Sequence, residues 1–162
     1  EDDFFNRFAG LARYLPALPL IGGGKTRFQP VYVGDVADAL ARLAEDPAAA
    51  GKNPAGKPYE LGGPSIYSFR ELLEYLLREI GRRRLLLPLP FALAQLQAAF
   101  LEWLPTPPLT RDQVRLLERD NVVSPNAPTL ADLGIQPTAL ELIVPSYVAR
   151  YRPGGRFTAA RL

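Results

Sequence analysis

Chemistry at neutral pH asks first for a side chain that exchanges a proton or attacks a carbon, and this sequence offers few. Its 162 residues contain no His and no Cys. On these residues that excludes the commonest general base, the thiolate nucleophile, a Ser-His-Asp triad, disulfides and thiolate metal sites. Carboxylates, amides, hydroxyls and cations are left. Two cations, Lys25 and Arg27, flank the run Gly22-Gly23-Gly24, and charged donors beside a turn suit an anion. The run itself does not read as a phosphate loop, because Lys25 and a strand follow it rather than a helix N-terminus. Asp35 opens a helix, where its carboxylate can accept backbone N–H groups and fix the turn.

The elements that would position these groups are short. Asp2 or Asp3 can cap an opening helix that carries Phe4, Phe5, Phe8, Leu11 and Leu15 at helical spacing. Pro16 and Pro19 end it and favour an extended piece from Ala17 to Ile21, and the triple glycine then turns the chain. Phe28, Val31 and Val33 read as a strand that Pro30 confines to an edge. A helix runs from Gly34-Asp35 to about Ala44, followed by a Pro-, Gly- and Ala-rich loop to Pro58. Tyr59-Glu60-Leu61 reads as a short strand. Ser68 to Glu71 is a capping box that opens a helix closed by Gly81. Leu85-Leu86-Leu87 reads as a short buried strand, and Pro90 starts the next helix. Thr110 to Gln113 is a second capping box, Asn121 to Ser124 an extended piece, and Thr129 caps a short helix closed by Gly134. A last helix starts at Thr138, with Pro145 expected to divide or kink it. Residues 153–162 read as a frayed tail.

Composition sets outer bounds. The chain is 48% hydrophobic and 22% charged, ordinary for a folded domain. Lys and Arg number 19 against 17 Asp and Glu, too even a balance to imply nucleic acid, whose binders concentrate basic charge on one face. Arg82-Arg83-Arg84 is the densest basic run. No apolar stretch reaches the ~20 residues of a membrane span; Leu85 to Leu104 comes nearest and is interrupted by Gln95, Gln97 and Glu102. The start, Glu1-Asp2-Asp3-Phe4, has no Met and no signal-peptide pattern, and reads as a piece of a longer protein.

Taken in order, these pieces resemble a known superfamily. The segment Phe28-Gln29-Pro30-Val31-Tyr32-Val33-Gly34-Asp35-Val36-Ala37-Asp38-Ala39 is similar to the strand, Asp-Val-Ala, helix segment of extended short-chain dehydrogenases. Tyr59 to Gly63 and Ser68 to Gly81 resemble the strand and helix that follow. Leu109 to Val114, Asp120 to Val123, Leu133-Gly134-Ile135 and Pro137-Thr138 resemble the dinucleotide-binding accessory subunits of respiratory complex I, in their alphaproteobacterial form. The likeness covers about residues 1–151.

The resemblance implies an α/β fold: the C-terminal part of a Rossmann-like protein, a mostly helical substrate-side lobe with a few short strands. It places residues 1–151 in that part, leaves 152–162 as a flexible tail and puts the dinucleotide-binding half upstream. NADP or NAD would be bound mainly by that upstream half. Gln29, Pro30 and Tyr32 would lie on the strand lining the cleft, and Lys25 and Arg27 on a loop that meets a substrate phosphate. Asp35 would fix the turn. No Tyr here has Lys four residues later, so the catalytic pair of active dehydrogenases is missing. The implied role is a non-catalytic accessory subunit beside the hydrophilic arm of complex I, on the cytoplasmic side of the bacterial inner membrane. The alternative is a nucleotide-sugar epimerase, dehydratase or reductase whose catalytic half lies elsewhere. Leu89, Leu93, Leu96, Phe100 and Trp103 form one stripe, expected to face the core; contact of residues 82–104 with a membrane surface is the other reading.

Overall fold

The computed structural model describes residues 3–45, 58–103 and 109–155. They form two compact units. The first comprises Glu1–Arg27, Tyr67–Asp120 and Pro145–Leu162, and the second comprises Phe28–Ile66 and Asn121–Val144.

In the first unit, helix α1 (Asp3–Tyr14) delivers Phe4, Phe5 and Phe8 to helix α3 (Phe69–Glu79). The Phe4 and Phe8 rings lie 5.0 Å apart, and Phe8 meets Phe69 edge-on at 5.6 Å. Tilted and edge-to-face rings add to the area they bury. Strand β1 (Ala17–Ile21) runs parallel to β4 (Leu85–Leu89) with Ala17 opposite Leu85. Leu18, Leu20 and Ile21 of β1 are buried. The extended piece expected at Ala17–Ile21 is therefore the strand that seeds this unit's core. The turn after it has φ of 61°, 68° and 72° at Gly22, Gly23 and Gly24. A Cβ at Gly22 would also stand 2.2 Å from the Phe91 ring, so both backbone and packing require glycine there.

Both expected capping boxes form. Ser68 accepts from the Glu71 backbone N–H while Glu71 accepts from the Ser68 backbone N–H, and Thr110 and Gln113 do the same for helix α5 (Arg111–Leu116). The Ser68 backbone N–H and then the Ser68 hydroxyl, donating to Glu71 Oε2 at 2.7 and 2.8 Å, hold the Glu71 carboxyl below its ordinary value. Ser68→Ala should cost about 1 kcal/mol of stability, read from urea unfolding; a change within the error of wild type counts against the box.

Two expectations for this unit fail. β4 is a strand, yet Leu85 and Leu87 are exposed rather than buried, because β1 is its sole partner strand and no layer covers its outer face among the described residues. Helix α4 (Phe91–Leu101) starts after Pro90 as expected, but Leu93, Leu96, Phe100 and Trp103 face outward. Its inner face is Ala94 and Ala98. The stripe was expected inside.

In the second unit, helix α2 (Val33–Glu45) packs Ala39 against Leu130 and Leu133, with Val31, Leu43, Tyr59, Leu61 and Ile135 around them. Leu130–Leu133 is a single 3-10 turn opened by a Thr129–Asp132 capping box and closed by Gly134. The strand expected from Thr26 through Phe28, Val31 and Val33 is reduced to β2 (Arg27–Phe28), which pairs with β3 (Tyr67–Ser68) of the first unit, plus one bridge within the second unit from Phe28 to Asn121. Tyr59–Leu61 is no strand; Glu60 N–H reaches Pro128 O at 2.9 Å. Strand propensity supplies no ladder without a neighbour to pair with. Helix α6 (Leu140–Val148) is not divided and contains Pro145. The loop expected at 46–57 and residues 156–162 of the expected tail lie outside the described residues; within that tail, Arg152 donates to Glu79 O at 2.9 Å.

Candidate functional site

Gln29 ties together three segments of the second unit. Its backbone N–H donates to Asn121 O at 3.0 Å. Its side-chain Nε2 donates to Gly63 O at 2.8 Å, and its Oε1 accepts from Val123 N–H at 3.0 Å. The amide sits half-buried, and both of its ends are engaged by backbone. Beside it, the Pro30 carbonyl presses on Gly63 so closely that a Cβ there would be 2.0 Å from the oxygen. Tyr32 lies at the surface, 37% exposed, with its ring over Gly34. Gln29→Leu should lower stability by about 2 kcal/mol, since a donor and an acceptor lose their partners together. Unfolding of Gln29→Leu beside Gln29→Glu checks this, for the glutamate keeps the Val123 bond and sets an acceptor against Gly63 O.

Asp35 is one of two buried polar residues among those described, at 5% exposure. Its Oδ2 accepts from Thr138 N–H at 2.7 Å and its Oδ1 from Thr138 Oγ1–H at 2.8 Å. The carboxylate joins the start of α2 to the segment before α6, so the N–H it satisfies belongs to a residue 103 positions away. No reacting group is needed to explain it.

Glu60 was not singled out from sequence. Its carboxylate accepts from Ser124 N–H at 2.7 Å and Ser124 Oγ–H at 3.1 Å. The alternation Tyr59-Glu60-Leu61 was the available signal: the outer two pack on the Leu130 core, which turns Glu60 away from it.

Lys25 and Arg27 belong to the first unit. Lys25 is exposed. Arg27 is committed to Asp120, with backbone N–H to Oδ1 at 2.8 Å, Nε–H to Oδ2 at 2.8 Å and Nη2 to Oδ2 at 2.8 Å. The backbone bond, then the guanidinium bond and charge, hold the Asp120 carboxyl below its ordinary value. A depressed carboxyl stabilises fully above its unfolded value and loses that contribution as pH falls through the folded one. Asp120→Asn should therefore flatten the acid side of the stability profile below about pH 4, measured as thermal midpoint against pH. An unchanged acid limb would remove the pair from the account.

Gly22 packs on Phe91, Gly24 on Leu20 and Arg70, the Gln29 amide is used on backbone, and Arg27 is neutralised. Among the described residues no cluster of acidic side chains could hold a metal, and no helix is long and apolar enough to cross a membrane.

No protein-family model matches the chain. It is 36% identical over 164 residues to NADH dehydrogenase (ubiquinone) 1 alpha subcomplex subunit 9, mitochondrial, of Arabidopsis thaliana, covering 96% of this chain and 40% of that protein. The Mus musculus protein of the same name is 34% identical over 154 residues, 94% of this chain and 39% of its own length. The NADH-ubiquinone oxidoreductase 40 kDa subunit, mitochondrial, of Neurospora crassa is 30% identical over 155 residues, 94% and 38%. The chain thus spans about two-fifths of the length of the relatives it matches. Across nearly all of its own residues, this chain is a homologue of part of these NADH:ubiquinone oxidoreductase subunits.

Proposed function

We propose that this chain is the substrate-side part of a non-catalytic accessory subunit of respiratory complex I, the NADH:ubiquinone oxidoreductase, with a structural or assembly role. The observation that carries the reading is 36% identity across 96% of the chain to a subunit so named. The chemistry of the residues agrees with it. The chain has neither His nor Cys, and the polar groups nearest the expected cleft are engaged: Asp35 by Thr138, Gln29 by Gly63 and Val123.

In this reading the whole protein has an extended short-chain dehydrogenase architecture and holds NADP or NAD mainly through residues outside this chain. Tyr32 and Lys25 are the described candidates with surface to offer a ligand. The partners are subunits of the hydrophilic arm. The protein sits peripherally, on the cytoplasmic side of a bacterial inner membrane, with residues 82–104 toward the membrane surface.

Native electrophoresis tests the role. The whole protein, tagged at its own locus, should co-migrate with NADH dehydrogenase activity in mild detergent. Deleting it should lower the amount of assembled complex. A tagged protein that migrates alone, with complex I unchanged in the deletion strain, overturns the proposal.

A further inference from the structure

Helix α4 is built with its small side chains inward. Ala94 and Ala98 are fully buried, while Leu93, Leu96 and Phe100 point outward and Trp103, just past the helix end, is 91% exposed. A helix made to fill a core does the reverse, placing its bulk inside. Its sequence, Phe91 to Leu101, contains no charged residue. The strand that leads into it, β4, also exposes Leu85 and Leu87. From Leu85 to Trp103 the chain therefore presents large apolar side chains to the outside.

Basic charge gathers at the start of that stretch. Arg84 Nε–H donates to Ala12 O at 2.9 Å, near the C-terminus of α1, and Arg82 Nε–H donates to Tyr151 O at 3.0 Å. Parallel register, Ala17 opposite Leu85, brings Arg13 and the exposed Tyr14 to the same end. Burial, and then the charges of Arg84 and Arg13, hold the Arg82 guanidinium below its ordinary value. Among the described residues no carboxylate pairs with Arg13, Arg82, Arg83 or Arg84. Arg82 and Arg84 are held in place, and among the described residues the cluster has no anion of its own.

We propose that this surface of the first unit docks on an anionic phospholipid membrane, with Arg13 and Arg83 at lipid phosphates and Leu93, Leu96, Phe100 and Trp103 in the headgroup–acyl boundary. Charge and apolar bulk on consecutive elements fit a lipid interface, where arginine meets phosphate and an amphipathic aromatic settles beside it. The inference rests on the accessory-subunit reading only in placing the protein beside a membrane.

Flotation of the whole protein decides it, with vesicles of phosphatidylcholine alone and of phosphatidylcholine mixed with phosphatidylglycerol. Wild type should float with the anionic vesicles, and less so as salt is raised. The Arg13→Glu/Arg83→Glu variant should lower the partition coefficient at least tenfold, at roughly one order or more for two reversed charges. Phe100→Ser/Trp103→Ser should weaken binding by about tenfold or more through lost apolar insertion. All four positions are exposed, so circular dichroism should match wild type. The inference is overturned if wild type stays soluble, if charge reversal leaves flotation unchanged, or if inorganic phosphate alone displaces the protein from vesicles at constant ionic strength. It is also overturned if the variants leave complex I in detergent while wild type ignores vesicles, which would assign the face to a protein. Co-migration in detergent is scored separately: its loss with flotation intact sinks the accessory role and spares the lipid site.

Discussion

Replacing Gly63 with alanine is expected to lower stability by about 3 kcal/mol, at the upper end for overpacking. The new Cβ would stand 2.0 Å from the Pro30 oxygen and 3.1 Å from its carbon. Both atoms are backbone, so no side-chain rotation relieves the clash. Moving residue 63 away would lengthen the hydrogen bond from Gln29 Nε2 to Gly63 O, now 2.8 Å, and Gln29 in turn holds Val123. One methyl group therefore disturbs three segments. For a chain of this size the thermal midpoint should fall by about 6–12 °C. A drop of less than about 2 °C would mean that the close approach at Gly63 relaxes without disturbing the Gln29 bonds.

Asp35→Ala should have the next largest effect, also about 3 kcal/mol. Two donors of Thr138 lose a charged acceptor at a buried site, and a charge-assisted bond is roughly twice as strong as a neutral one. Asp35→Asn should cost less, about 1–2 kcal/mol, because the amide accepts one bond but turns its NH2 toward the other donor. Thr138→Val removes the hydroxyl and keeps the backbone N–H, so its effect should be smaller than that of Asp35→Ala. Combined with Asp35→Ala it should add little, since both changes break the same contact. Denaturant unfolding of the three variants measures all of this. If Asp35→Ala unfolds like wild type, the carboxylate is not held for structure and its burial needs another reason.

The division between the two units changes how the expected site residues are grouped. Gln29, Pro30 and Tyr32 are expected on the strand lining the cleft, and Lys25 and Arg27 on a loop that meets a substrate phosphate. The structure puts the first three in one unit and the last two in the other. Arg27 works on Asp120, and Gln29 works on Gly63 and Val123. Residue type shows that these side chains can hydrogen-bond; it does not show that Asp120, Gly63 and Val123 are their partners within the fold.

What the amino-acid order settled alone was everything carried by neighbours along the chain. Ser68 with Glu71 and Thr110 with Gln113 cap their helices through bonds spanning three residues. The glycines at 22–24 take the left-handed angles that only glycine adopts cheaply, and Pro16 marks the start of β1. Tertiary structure decided which distant group each polar side chain would meet: the N–H and hydroxyl of Thr138 for Asp35, the backbone of residues 63 and 123 for Gln29, the Asp120 carboxylate for Arg27. It also decided which face of α4 would be covered. Helical spacing places Leu93, Leu96, Phe100 and Trp103 on one side, but whether a side is inside depends on what packs against it. Here the close packing of Ala94 and Ala98 against the unit turned the bulk outward. Local bonds need only sequence neighbours, whereas burial and long-range pairing need the path of the whole chain, which no short window contains.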